Sequence, residues 1–125
     1  VSSYPTEFKY TKDHEWVRMH DGEATVGITD FAQRQLGDIV FLELPFVGQQ
    51  VKQGEVLGQI ESVKAVSELF APVSGEVIAT NGDLVTHPEA INSAPHESWM
   101  VRMRPSAPGE ASSLLDATAY ASLVK

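Results

Sequence analysis

The sequence predicts a mainly β domain, a small sandwich or barrel with one short helix near 30–36 and one helix at the C-terminus. Three observations carry that expectation. From Gly37 to Arg104 the apolar residues come in short runs broken by Gly and Pro, the spacing of strands and turns. An Asp21-Gly22 pair between two apolar runs marks a tight hairpin. A weak internal repeat also shows. Gly37-Asp38-Ile39-Val40 matches Gly75-Glu76-Val77-Ile78, and Gly48-Gln49-Gln50-Val51 then matches Gly82-Asp83-Leu84-Val85, with Glu55 opposite Glu89. Two similar β halves imply a pseudo-twofold object, although short Gly-acid-apolar strings also recur by chance in β proteins.

The elements follow in chain order. Residues 1–12 read as a lead-in, and 16–19 with 24–28 as the first hairpin. In Thr29-Asp30-Phe31-Ala32-Gln33-Arg34-Gln35-Leu36-Gly37, Asp30 is placed to cap a short helix and Gly37 to end it in a left-handed conformation. Strands are expected over 39–44, 56–61, 66–70, 76–79 and 100–103. Pro105-Ser106-Ala107-Pro108-Gly109 reads as a linker, and the Ala- and Leu-rich stretch 110–125 as the terminal helix.

Composition narrows the function classes. Against 17 Asp and Glu stand 9 Lys and Arg, a net charge of −8. That leaves too few cations for a nucleic-acid face or an anionic membrane surface. There is no cysteine, which excludes disulfides, thiolate metal sites, iron–sulfur clusters and a Cys nucleophile. The longest aliphatic or aromatic runs, such as 39–42, are far shorter than a spanning helix, and the N-terminus has no charged-then-apolar leader pattern. Val1 stands where an initiator Met would, which points to trimming or processing. His14, His20, His87 and His96 form no His-Glu-x-x-His pattern, so no metal site is expected. Trp16 and Trp99 read as core or rim aromatics. Gly48 to Gly54 lacks the Gly-Lys-Ser/Thr ending of a phosphate loop, and no nucleophile elbow occurs. No catalytic residue is expected.

One residue stands out. Lys64 is the only Lys or Arg between Lys52 and Arg102, in a stretch that holds Glu55, Glu61, Glu68, Glu76, Asp83, Glu89 and Glu97. It falls midway between two expected strands and at the junction of the two repeat halves. At a tight hairpin tip it would be an accessible amine. As an ordinary surface lysine it would form a weak pair with Glu61 or Glu68, worth at most about 1 kcal/mol. The residues alone favour the ordinary case.

The wider pattern carries more. Glu61-Ser62-Val63-Lys64-Ala65, then Ser67-Glu68, then Ala71-Pro72-Val73-Ser74-Gly75-Glu76-Val77 resembles the lipoyl-lysine hairpin of glycine cleavage system H proteins. The resemblance extends upstream through His14-Glu15-Trp16, Val26-Gly27-Ile28-Thr29, Leu36-Gly37-Asp38 and Glu43-Leu44-Pro45, and downstream through Ile91-Asn92-Ser93 and Trp99-Met100. It covers nearly the whole chain from about Tyr10 onward.

What the resemblance implies is specific. The fold would be a barrel-sandwich hybrid with pseudo-twofold β halves. The chain would form one domain over 1–125, with a lipoyl-binding core at 23–105 and a linker and C-terminal helix at 106–125. Lys64 would carry lipoic acid in amide linkage. The protein would be a carrier, not an enzyme. It would take an aminomethyl group from glycine at a pyridoxal-phosphate glycine decarboxylase and deliver the methylene to tetrahydrofolate at an aminomethyltransferase. Dihydrolipoyl dehydrogenase would reoxidise it, and a lipoate ligase or an octanoyl/lipoyl transferase would modify it. The expected state is a monomer in a bacterial cytoplasm, or in the mitochondrial matrix of a eukaryote. Glu15 and Glu68, with Asp13 or Thr11 nearby, would dock the arm by holding its ammonium end, although Glu15 also reads as a solvated acid before a strand. Phe31 and Gln35 stand where relatives often carry His on the short helix, so those positions are not carried over.

The chemistry needs such a carrier. A chain without Cys has no soft nucleophile, and a dithiolane supplies sulfur that accepts a carbon fragment and then two electrons. Tethering makes transfer at each docked enzyme effectively intramolecular. Other readings are a biotin carrier, which would have Met on both sides of the lysine rather than Val63 and Ala65, a lipoyl domain of a 2-oxoacid dehydrogenase, which would have Asp before it, and an unmodified scaffold.

Overall fold

A computed structural model describes residues 4–124. Strands dominate. β1 (Lys9–Tyr10), β2 (Glu15–His20) and β3 (Glu23–Ile28) lead into α1 (Asp30–Leu36). β4 (Ile39–Glu43), β5 (Gln50–Val51), β6 (Val56–Ser62), β7 (Val66–Phe70) and β8 (Gly75–Thr80) follow. Two short helical turns, α2 (Gly82–Thr86) and α3 (Ala90–Ser93), precede β9 (Val101–Pro105). A 3₁₀ turn at Pro108–Ser113 and a last helix, α4 (Ala117–Leu123), end the chain. The strands make two sheets, a larger one ordered β1-β2-β3-β9-β8-β5 and a smaller one ordered β4-β6-β7, all antiparallel. This is the mainly β, two-sheet architecture expected.

The β2–β3 hairpin turns at Asp21 and Gly22, both at positive φ (51° and 78°), the twist that a two-residue turn requires. One apolar cluster fills the space between the sheets, with Val26, Ile39, Leu42, Ile60, Leu69, Val77 and Met103 among its buried members. A second cluster is aromatic: Phe8, Tyr10, Trp16 and Tyr120 pack with Ala117 beside the first three strands. Gly27 makes room for it. A Cβ there would lie 2.5 Å from the Trp16 ring, which instead lies flat on β3 and donates to Pro95 O at 3.0 Å. Trp16 is thus core, and Trp99 is a rim aromatic under the Arg102 guanidinium, 4.8 Å away.

Three local expectations are corrected by the structure. The N-cap of α1 is Thr29 rather than Asp30: its Oγ1 accepts from Ala32 N, and Asp30 is the first helical residue. The cap oxygen must sit three residues before its donor amide, and Thr29 satisfies that frame. The terminal helix is interrupted. Leu115 pairs its backbone with Tyr10, and Asp116 then caps a new helix by accepting from Ala119 N. Two main-chain bonds to β1 outweigh one more turn of helix in a stretch with two adjacent serines. The expected end of that helix, Lys125, lies outside the described residues, as does the start of the lead-in. The second repeat match sets a strand, β5, against a helical turn, α2, while the first sets the start of β4 against that of β8.

Candidate functional site

The β6–β7 hairpin is pinned at its tip by one side chain. Ser62 N–H donates to Ala65 O at 2.8 Å, and the Ser62 hydroxyl donates to the same carbonyl. That hydroxyl also accepts from Lys64 N at 3.3 Å and Ala65 N at 3.1 Å. Ser62 is buried, while Val63, Lys64 and Ala65 are exposed. Val63 N–H reaches Asp38 O at 3.0 Å, which ties the tip to the segment after α1. The braced turn therefore holds out an exposed side chain. Among the described residues no carboxylate pairs with Lys64, so the surface ion pair with Glu61 or Glu68 does not form.

The lysine stem passes Gly37. A Cβ built there would sit 3.4 Å from Lys64 Cε, and Gly37 has φ +81°, so glycine serves both the helix end and the passage. Asn92 braces this corner. Its Nδ2 donates to Gly37 O and Gln33 Oε1, each at 2.9 Å, and its Oδ1 accepts from Ile39 N at 2.9 Å. The residues themselves assign Ser62, Gly37 and Asn92 no role at the tip. A serine two residues before the turn centre is a signal that could have found the first.

The outer face of the small sheet can be read from its register. Next to the tip lies the row Phe41–Glu61–Val66, and behind it the row Glu43–Gln59–Glu68. All six side chains are exposed, and none is basic. Glu68 lies here on β7, on the same face as Phe70 two residues on.

Glu15 is the opposite case. It is 1% exposed, not the solvated acid that its place before a strand allowed. Its Oε1 accepts from Thr11 Oγ1 at 2.5 Å and its Oε2 from Phe70 N at 3.2 Å, at the far end of β7 from Lys64. Burial pushes its carboxyl up to about 7, against the lowering pull of those two bonds. No Lys, Arg or His among the described residues pairs with it. A cavity of about 210 Å³ adjoins it, its wall including Thr11, Lys12, Asp13, Gln53, Phe70 and Leu115. The structure thus brings Thr11, Asp13 and Glu15 to one cavity and joins Glu15 to β7. Lys64 and Glu68 do not line that cavity. Phe31 and Gln35 do not line it either: the Phe31 ring packs on His14 at 4.6 Å, and Gln35 is exposed.

The remaining histidines are structural or superficial. His96 Nε2 accepts from Asp30 N at 3.2 Å, and His20 and His87 are exposed beside Asp21 and Glu89. Among the described residues no group of three His, Cys, Asp or Glu could hold a metal, and no helix is long and apolar enough to cross a membrane.

Comparison with known proteins agrees with this geometry. A family model described as "Glycine cleavage H-protein" matches residues 8–125. The chain is 52% identical over 123 residues to the glycine cleavage system H protein of Acidobacterium capsulatum, covering 98% of this chain and 95% of that one. It is 53% identical over 121 residues to that of Ralstonia nicotianae, covering 96% and 95%. The crystal structure of a glycine cleavage system H protein from Mycobacterium marinum superposes with a TM-score of 0.88 at 41% identity, covering 95% of this chain and 97% of that one. The chain therefore belongs to the glycine cleavage H-protein family, the lipoyl carrier component of the glycine cleavage system and not one of its catalysts.

Proposed function

We propose that Lys64 is the lipoylated residue and that the protein carries the aminomethyl group of glycine from the pyridoxal-phosphate glycine decarboxylase to the tetrahydrofolate-dependent aminomethyltransferase, with reoxidation by dihydrolipoyl dehydrogenase. The carrying observation is the tip itself: an exposed lysine, without an ion-pair partner among the described residues, on a turn that Ser62 holds rigid. The residues fit the group, because an amide bond needs a free amine and a ligase needs a turn of fixed shape. Lipoic acid, once attached, supplies the thiol sulfur that this cysteine-free chain lacks.

The chain's own residues do the rest. Gly37 leaves a path for the lysine stem. The acidic and apolar face around the tip meets each partner, lipoate ligase or octanoyl/lipoyl transferase included, and favours basic rims on them. Glu15 holds the ammonium end of the cargo between visits. A carboxylate buried without a cation is costly, and a bound ammonium removes that cost. Glu68 lies on the way, since Val66 to Phe70 spans about 13 Å of strand.

Intact mass tests the attachment. Incubation with lipoate, ATP and a lipoate ligase adds one lipoyl group to the parent and none to Lys64→Arg, which folds as the parent does. Modification of Lys64→Arg, or addition of biotin, overturns the assignment. The modified protein alone does not decarboxylate glycine; rates matching the complete system would sink the carrier reading. For the acids, Glu15→Gln shortens the half-life of the loaded mass roughly tenfold, the worth of one charge-assisted hydrogen bond, and Glu68→Gln, at an exposed position, shortens it less, by about fivefold at most. Half-lives equal to the parent's remove the holding role.

A further inference from the structure

His14 is the one non-glycine residue outside the β2–β3 turn with a positive φ among the described residues, at 70°. A left-handed conformation costs a side chain about 1–2 kcal/mol and persists only where its surroundings over-determine it. Here three parts of the chain do so. His14 N–H donates to Thr11 O at 3.1 Å, and His14 O accepts from Thr29 N at 3.0 Å. Its Nδ1 lies 2.8 Å from Tyr120 Oη, which lies 2.7 Å from Thr29 Oγ1, the cap of α1. The next residue along is Glu15. The strained turn closes Thr11 over it, with Glu15 N donating to Thr11 Oγ1 at 3.1 Å and Thr11 N donating to Glu15 O at 3.0 Å.

Tyr120 comes from α4, which packs on β1, at the other end of the sequence from His14. Its ring is fully buried and stacks on Tyr10 at 4.7 Å, and Leu115, just before α4, forms part of the cavity wall beside Glu15. We infer that Tyr120 is a positioning residue for Glu15: through His14 and Thr29, the C-terminal helix fixes the turn that holds this carboxylate in the arm-holding cavity. The hydroxyl is the working part, because the ring packing alone would be met by phenylalanine. The inference rests on the reading of Glu15 as the ammonium holder.

Two variants and two readouts test it. Tyr120→Phe keeps the buried ring and removes the bridge. His14→Asn keeps a residue tolerant of positive φ and removes the bridge from the other side. The unloaded proteins are titrated by carboxyl-carbon NMR, and the lipoylated, loaded proteins are followed by mass, with Glu15→Gln alongside. With the bridge gone, water reaches the carboxylate. The Glu15 midpoint then moves down from about 7 in both variants, and the loaded half-life falls severalfold. A midpoint unmoved in both variants overturns the inference, since mere loss of stability leaves the folded-state titration unchanged. A parent-like half-life in both, beside a short one in Glu15→Gln, overturns it too. If Glu15→Gln itself keeps the parent half-life, the reading of Glu15 fails instead, and the NMR midpoint alone decides whether Tyr120 positions the carboxylate.

Discussion

Lys64 and Glu15 sit at opposite ends of β7, and the chain treats their charges in opposite ways. Lys64 is held out on a turn, with no ion-pair partner among the described residues, and its stem crosses a glycine. Glu15 is buried against Thr11 and Phe70 beside a cavity, also without an ion-pair partner among the described residues. An exposed ammonium costs nothing to leave unpaired, because water solvates it. A buried carboxylate costs several kcal/mol unless it takes a proton or finds a cation. The tip thus leaves its charge to water, and the buried end takes its charge out of water. The bracing differs accordingly: Ser62 and Asn92 use neutral bonds to shape backbone, while the Glu15 end combines backbone strain, aromatic packing and a titrating group.

The sharpest test of that contrast is the pH dependence of stability at the buried end. Folding raises the Glu15 carboxyl from 4.5 to about 7, so the folded state favours the proton. The associated stability is fully present below the unfolded value and is lost as pH rises through about 7. Glu15→Gln keeps an acceptor for Phe70 N and removes this loss. It should be more stable than the parent at pH 8, by up to about 3 kcal/mol, with the advantage fading towards pH 5. Urea denaturation at the two pH values measures it. No gain at pH 8 would mean that the carboxylate is better solvated than its burial indicates.

At the exposed end the expected effects are smaller and independent of pH. Gly37→Ala places a side chain at positive φ beside the Lys64 stem and should cost about 1–2 kcal/mol, read as a lower denaturation midpoint at unchanged m-value. Lipoylation should survive, because the stem has room to swing away. Ser62→Ala removes the acceptor shared by Lys64 N and Ala65 N and should cost about 1 kcal/mol. Faster hydrogen exchange at those two amides, with the rest of the sheet protected, is the specific signature.

The smallest effect comes from His96, which returns the comparison to pH with the opposite sign. Burial holds the His96 imidazole below 6.5, and its Nε2 must stay unprotonated to accept from Asp30 N. The unfolded chain takes the proton first, so stability is lost as pH falls below 6.5. His96→Phe keeps a ring beside Tyr4 and Phe8 and should flatten that acid limb at a cost of about 1 kcal/mol or less at neutral pH. An unchanged limb would assign it to other groups, with His14, lowered by the same cause, the next to substitute.

Several features were legible in the residues alone because they depend on neighbours in the chain. The Asp21-Gly22 turn, the end of α1 at Gly37, the strands on either side of Lys64 and the isolation of that lysine among acids are of this kind. The hairpin tip follows from them, since two adjacent strands with a short connection must expose what lies between. Tertiary structure decided everything at the other end. Glu15 opens a strand, where a carboxylate is ordinarily solvated, and only the return of β7 and of the C-terminal segment buries it. β1 exists because Leu115 and β2 pair with it, and the last helix starts at Asp116 because Leu115 is taken. Ser62 could be suspected from its turn, whereas the contact of Asn92 with Gly37 spans 55 residues and that of Tyr120 with His14 spans 106. Local rules act through backbone dihedrals and strand period, which the chain carries everywhere. The charge state of Glu15 depends on which groups the fold removes from water, and no local pattern encodes that.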